Sequence, residues 1–284
     1  MRLLVTGAAG MLGTDVVTAA SAAGHDVTAV DVADADLTVP AQVDGLVADA
    51  QPDAILNCAA WTDVDAAEAH ETRALAINGT AVEHLATAAR RSGARLLQIS
   101  TDYVFRGDAV GTPYSEDAAP DPINAYGRTK LAGERAALGA GGQVVRTAWL
   151  YGANGPSFVA TMRRLEQERE TVQVVTDQVG QPTCTRDLAA RLVELVGNSQ
   201  AGPGIYHGTA TGQTSWHGLA QAIFRLLGAD PQRVLPTTSA AFPRPAPRPA
   251  WSVLGHDRWA GAGMEPLRDW HEALSEVLPT ISAR

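Results

Sequence analysis

The chain has 284 residues, 45% of them hydrophobic, with a mean hydropathy of -0.05. That is enough to bury a substantial core, as one large domain or one domain with a smaller companion. A net charge of -9 excludes a general nucleic-acid binder, no apolar run has membrane-spanning length, and two cysteines, Cys58 and Cys184, make no disulfide framework.

Arg2–Thr6 is a short apolar run that predicts a strand, and the segment from about Met11 to Ala23 predicts a helix. Between them stands "TGAAGMLG", with Gly7, Gly10 and Gly13 spaced G-x-x-G-x-x-G. Directly after a first strand, Gly7 permits a tight turn, Gly10 lets the backbone approach a pyrophosphate, and Gly13 lets the helix pack close to the sheet. The helix N-terminus then offers N–H groups and the positive end of its dipole to phosphates. Asp26–Val30 predicts a second strand, and Asp31 ends it about 20 residues on from the turn. A carboxylate there accepts from adenosine ribose hydroxyls and repels a 2′-phosphate. No Arg or Lys stands between Val30 and Leu37, so these residues lean toward NADH over NADPH. In "DADLTV", Asp36 and Leu37 are placed to flank an adenine.

Asp53–Asn57 predicts a third strand, and the small Ala59 and Ala60 at its end suit close passage of a ribose or nicotinamide. About Glu68 to Arg91 predicts a helix closed by Gly93, and "ARLLQIS" predicts a fourth strand. About Asn124 to Leu138 predicts a helix, and "GQVVRTAW" a strand. Buried strands flanked by helices give an α/β fold, a Rossmann-type doubly wound parallel sheet covered on both faces. From about Ser157 the order is less regular: "FVATMRRLEQERE" reads as helix, "TVQVVT" as strand and Thr185–Val196 as helix. The Pro-rich "SAAFPRPAPRPAWS" reads as an ordered or semi-ordered loop. The expected division is a dinucleotide-binding domain over 1–149, with a return at about 172–197. A smaller, discontinuous substrate domain takes about 150–171 and 198–284.

Tyr126 and Lys130 are four apart on a predicted helix and share one face. A phenol of pKa ~10 is a poor proton donor-acceptor at neutral pH without help, and a nearby ammonium lowers that pKa. The same Lys130 can hold cofactor ribose hydroxyls. The Thr101 hydroxyl, at the end of the fourth strand, can orient and polarise a reacting carbonyl. A nicotinamide then supplies hydride, and the set makes a carbonyl reductase site. His207, His217 and His271 show no ligand spacing, so no metal is expected.

These residues resemble the extended short-chain dehydrogenase/reductases of the sugar-nucleotide type, and within them the dTDP-4-dehydrorhamnose reductase family. The resemblance runs along almost the whole chain and is most specific at "STDYVF", "YGRTKLAGE", "RTAWLYG" and "DQVGQPT". It implies Thr101, Tyr126 and Lys130 as the catalytic set. It implies cofactor contacts at Gly7, Gly10, Met11, Leu12, Asp31, Asp36, Leu37, Ala59, Ala60 and Asn78. It implies sugar-nucleotide contacts at Asp63, Val64, Asp102, Tyr103, Trp149 and the Arg248 loop. The implied reaction reduces a 4-keto group on a dTDP-linked 6-deoxyhexose, with NADPH or NADH, giving dTDP-L-rhamnose from dTDP-4-dehydro-L-rhamnose. A related dTDP-deoxysugar of a dihydrostreptose type is the alternative. Trp251 stands where the family commonly has Asn, and Gly255 where it often has an acidic residue. The acidic positions that bind magnesium in some relatives are not all matched, so no metal is carried over. Tyr103 replaces the Glu that follows Asp in dehydratases, which disfavours water loss. Thr101, Tyr126 and Lys130 together disfavour a non-catalytic binding subunit. The expected setting is cytoplasmic, as a monomer or homodimer, with no nucleic-acid or membrane partner.

Overall fold

A computed structural model describes residues 1–283. In chain order the first half holds β1 (Arg2–Thr6), α1 (Met11–Ala22), β2 (Asp26–Val30), α2 (Pro40–Ala50), β3 (Ala54–Asn57), α3 (Val64–Ala69), α4 (Glu71–Leu75), α5 (Ala81–Ser92), β4 (Arg95–Thr101), α6 (Ala125–Gly139) and β5 (Gln143–Thr147). Then follow β6 (Leu150–Tyr151), α7 (Phe158–Glu168), β7 (Val172–Val175), β8 (Val179–Gly180), β9 (Thr183–Cys184), α8 (Thr185–Gly197) and β10 (Gly204–His207). The remainder is β11 (Ala210–Thr211), β12 (Thr214–Ser215), α9 (Trp216–Leu226), β13 (Val234–Thr237), α10 (Asp257–Gly261), β14 (Leu267–Asp269) and α11 (Trp270–Val277).

The longest apolar runs form one parallel sheet, in the order β10-β5-β4-β3-β1-β2. Alternation along β1 sends Leu3 and Val5 to one face and Leu4 to the other. The first face is covered by Leu12 and Val16 of α1 and by Leu188 and Leu192 of α8. The second is covered by Val43 and Val47 of α2, Leu85 of α5 and Ala137 of α6. The strand order reverses at β1, which opens a crevice beyond its C-terminal end. A further core gathers Val159 and Met162 of α7, Val172 and Val174 of β7, Ile223 and Phe224 of α9 and Leu274 of α11. No helix of the described residues is long and apolar enough to cross a membrane.

Three elements differ from the sequence expectation. First, β7 does not return to the large sheet. It pairs with β13 and buries Val172 and Val174 in the further core. The chain returns with α8 and then with β10, which pairs with β5 from Gly204–Gln143 to His207–Arg146. Trp259, Met264 and Leu267 also pack into the first core. The expected boundaries at 172 and 198 therefore do not follow the packing. "TVQVVT" alternates as any strand does, and "GIYH" is too short to announce a sheet edge. Second, α2 was not predicted. Third, the helix expected from Glu68 to Arg91 breaks at His70 and widens into a π segment over Ala76–Thr80. There α6 presses close, since a Cβ on Gly133 would stand 2.2 Å from the Asn78 carbonyl oxygen. Gly133→Ala must push two backbones apart. It is expected to cost about 1–3 kcal/mol of stability, read as a lower urea midpoint; an unchanged midpoint would contradict that close approach.

Candidate active site

The chain reverses after β1 at Gly7, whose φ of 66° lies in the left-handed region. A Cβ there would stand 2.5 Å from the Ala59 nitrogen, so the turn is pressed against the end of β3. A Cβ on Gly13 would stand 2.0 Å from the Gly7 carbonyl oxygen, so only glycine lets α1 start so close to the turn. Gly10 caps α1 with no side chain over the helix end, a cradle suited to phosphate. The Asp31 carboxylate accepts hydrogen bonds from the Ala9 and Val32 N–H groups, each at 2.8 Å. The Thr38 hydroxyl and N–H both donate to Asp36 and hold its carboxyl below the usual range. The Leu37 carbonyl lies 3.1 Å from His84 Nδ1.

A cleft of about 1120 Å³ runs along the C-terminal ends of the strands. Gly7, Gly10, Met11 and Leu12 line it from the turn, and Asp31, Asp36 and Leu37 from beyond β2. Ala59, Ala60 and Val64 line it from beyond β3, and Thr101, Asp102 and Tyr103 from the end of β4. Tyr126 and Lys130 of α6 and Trp149 after β5 complete the set that the structure brings together.

Three expected site residues stand outside that wall. Asn78 is buried and spends its amide on structure, accepting from the Trp61 N–H at 2.9 Å and donating to the Trp61 carbonyl and the Thr129 hydroxyl. Asp63 caps α3 by accepting from the Ala66 N–H at 2.9 Å. Arg248 donates to Asp65 and to the Ala246 carbonyl and interacts with the Tyr103 phenol. Burial opposes ionisation of Asp65, but hydrogen bonds from Arg248, the Ala246 N–H and Arg244 outweigh it and bring the carboxyl down to about 2. The Pro-rich loop is thereby strapped onto α3.

Thr101 closes β4 with its hydroxyl donating to Asp102 Oδ1 at 3.0 Å and accepting from the Tyr103 N–H at 3.1 Å. Asn124 caps α6 through the Gly127 N–H, so Tyr126 sits in the first turn. Burial pushes the Tyr126 phenol up, the Thr101 hydroxyl offsets part of this, and Asp102 adds to it. Lys130, 3% exposed, donates to the Ile99 carbonyl at 2.6 Å. Burial brings its ammonium down to about 8, against the opposing pull of Glu134 and Cys58. The Lys130 ammonium is thus directed to the end of β4. Asp102 is 2% exposed, and its Oδ2 has no hydrogen-bond partner. Burial pushes it up to about 6, with Ser252 and Thr101 opposing.

Trp216 lines the cleft and was missed. Its ring stacks on Trp149 at 3.5 Å between centroids and 8° between planes. Trp149 holds a φ of 48°, a strained conformation for a bulky residue, and Gly180 leaves room for its ring. Directly after the Ser215 cap, an aromatic at the first helical position was the available signal for Trp216.

The parallel sheet, the glycine turn and the Thr101–Tyr126–Lys130 group define a dinucleotide-binding α/β protein of the short-chain dehydrogenase/reductase class. The chain belongs to the family described as the RmlD substrate binding domain, whose model matches residues 1–282. It is 53% identical over 289 residues to a dTDP-4-dehydrorhamnose reductase of Streptomyces griseus, covering 100% of this chain and 95% of the relative. It is 51% identical to a probable dTDP-4,6-dihydroxy-2-methyloxan-3-one 4-ketoreductase of Streptomyces antibioticus, covering 100% and 96%. A dTDP-4-dehydrorhamnose reductase of Bacillus anthracis, solved in complex with NADP, superposes with a TM-score of 0.93 at 37% identity, covering 98% of each chain.

Asp102 gives a stability test with a definite sign. Its folded value of about 6 lies above the ordinary value of 3.8, so stability falls as pH rises through that window. Asp102→Asn is expected to raise the unfolding temperature over wild type at pH 8 and to lose that advantage at pH 3. A gain of equal size at both pH values would show that ionisation of Asp102 is not its source.

Proposed function

We propose that the protein reduces the 4-keto group of a dTDP-linked 6-deoxyhexose with NADPH or NADH, converting dTDP-4-dehydro-L-rhamnose to dTDP-L-rhamnose. The observation that carries this is one cleft with the glycine turn in its wall, Tyr126 and Thr101 further along, and a Trp149–Trp216 stack beside them. At about 1120 Å³ it exceeds the volume of a single-ligand pocket. The cleft residues fit a dinucleotide: bare N–H groups at α1 for the pyrophosphate, Asp31 for the ribose, and Ala59 and Ala60 for close passage. When bound, the nicotinamide supplies the hydride.

Tyr126 then donates its phenolic proton to the carbonyl oxygen as charge develops there. Burial keeps the phenol protonated, and efficient transfer then calls for a cation beside it, which brings its pKa back toward the working pH. The Thr101 hydroxyl holds the carbonyl oxygen in line. Lys130 clamps ribose hydroxyls as a buried cation. Asp102 and Tyr103 face the sugar, and the core around β7, α7 and α9 carries the sugar-nucleotide end through Trp149. Tyr103 supplies no carboxylate to pull a proton from the ring, which favours reduction over dehydration. We take the protein to act in the cytoplasm, as a monomer or homodimer. The Streptomyces antibioticus relative, nearly as similar as the Streptomyces griseus one, supports a second candidate, a related dTDP-deoxysugar.

Purified protein is expected to oxidise NADPH or NADH only when a dTDP-4-keto-6-deoxyhexose is added; no turnover with any such sugar would end the proposal. Tyr126→Phe is expected to lower kcat by at least ~100-fold with the NADPH Kd little changed. A near-normal rate would assign the proton to another group.

A further inference from the structure

The helix that carries Tyr126 and Lys130 places a third ionisable side chain on the same face, Glu134, one more turn along. Glu134 is 1% exposed. Its Oε1 accepts from the Ser100 hydroxyl at 2.6 Å and from Arg146 Nε at 2.8 Å, and its Oε2 from Arg146 Nη2 at 2.7 Å. Lys130 is bonded to the carbonyl of Ile99, the residue before Ser100. Neighbouring residues of β4 thus hold the ammonium and the carboxylate, with Arg146 of β5 behind.

The other ionisable groups here bring no compensating charge. On the β3 side Cys58 can act on Lys130 only as a thiolate, and burial pushes its thiol up to about 12, so near neutral pH it brings no charge. From β10, burial and then Arg146 push His207 down to about 3, so it stays neutral too. On α6 itself, Tyr126 is kept a neutral phenol. Among the described residues, Glu134 is therefore the one carboxylate that acts on two buried cations, Arg146 and Lys130.

We infer that Glu134 is a positioning residue for the reductase, the fixed counter-charge that keeps Lys130 a cation beneath the cofactor. This rests on the proposed role of Lys130 as the ribose clamp. Arg146 and Ser100 hold the carboxylate still, so its field falls on Lys130 without competing for a direct hydrogen bond. A purely structural Glu134 would tie α6 to the sheet and leave the charge state of Lys130 alone.

Glu134→Gln keeps the shape and removes the charge. Two readouts apply: the pH dependence of kcat/KM, and NADPH affinity followed by nicotinamide fluorescence. Losing an opposite charge lowers the Lys130 pKa, so the alkaline limb is expected to move to lower pH by about one unit or more. NADPH affinity is expected to fall about tenfold at pH 8 and to recover at pH 6. An unmoved limb with affinity lost equally at both pH values overturns the inference. Glu134→Gln/Arg146→Met strands no buried guanidinium and guards against a folding artefact. It is expected to keep the shifted limb; a return to the wild-type limb would mean that only stranding Arg146 mattered, against the inference. In a Lys130→Met background, Glu134→Gln is expected to have no further effect on affinity at pH 8, and a full further loss there also overturns it. If Lys130→Met alone leaves NADPH affinity intact, the clamp reading fails and takes the inference with it. If Lys130→Met weakens binding and Glu134→Gln does not, the inference fails alone.

Discussion

The Glu134–Arg146 pair ties α6 to β5, while Ser100 ties the same carboxylate to β4. Two charges at 1% exposure are costly to bury, and the cost is offset only because the contact is bidentate and shared with the Ser100 hydroxyl. That geometry fixes both the rotation of α6 and its position along the sheet. With Glu134 anchored, Lys130 and Tyr126 must lie one and two turns back toward the strand ends. Glycines allow the helix to come this close: a Cβ on Gly127 would stand 2.2 Å from the Tyr103 carbonyl oxygen. Tyr126 thereby reaches Thr101 because a buried ion pair, two turns away, sets the height of the helix.

Burial then decides the chemistry of the groups so placed. It raises the Tyr126 phenol, raises Asp102 to about 6 and lowers Lys130 to about 8. In each case the neutral form gains, and local contacts only trim the effect. A reductase needs a protonated donor beside the carbonyl oxygen; burial keeps the phenol protonated, and a cation brought near it eases release of the proton. The glycine turn works on the same principle of close approach, since Gly7 and Gly13 remove the Cβ atoms that would keep β1, β3 and α1 apart. The cleft lies where these two close packings meet.

Much of this was legible in the sequence. Gly7, Gly10, Gly13, Asp31, Tyr126 and Lys130 owe their places to local rules: a strand, a turn and a helical repeat of four. Such rules survive folding because their partners are near in the chain. What the sequence does not show depends mostly on distant partners. Asn78 and Arg248, expected at ligands, also hydrogen-bond residues far away in the chain, Trp61 and Thr129 for the first and Asp65 for the second. A sequence names a polar group without naming what will satisfy it. The π segment answers to Gly133, more than fifty residues away, in the same manner. β10 joins β5 although its four residues carry no pattern of their own. Trp216 reaches the cleft because Trp149 accepts a strained φ to stack on it.

In the proposed reaction, hydride passes from a nicotinamide to C4 of a dTDP-linked keto sugar while Tyr126 protonates the oxygen. The most direct measurement is the fate of deuterium carried at both hydrogen positions of C4 of NADPH, followed by NMR of the sugar product. One deuterium is expected at sugar C4 for each NADPH oxidised. Label at another sugar carbon, or product formed with no NADPH consumed, would contradict it.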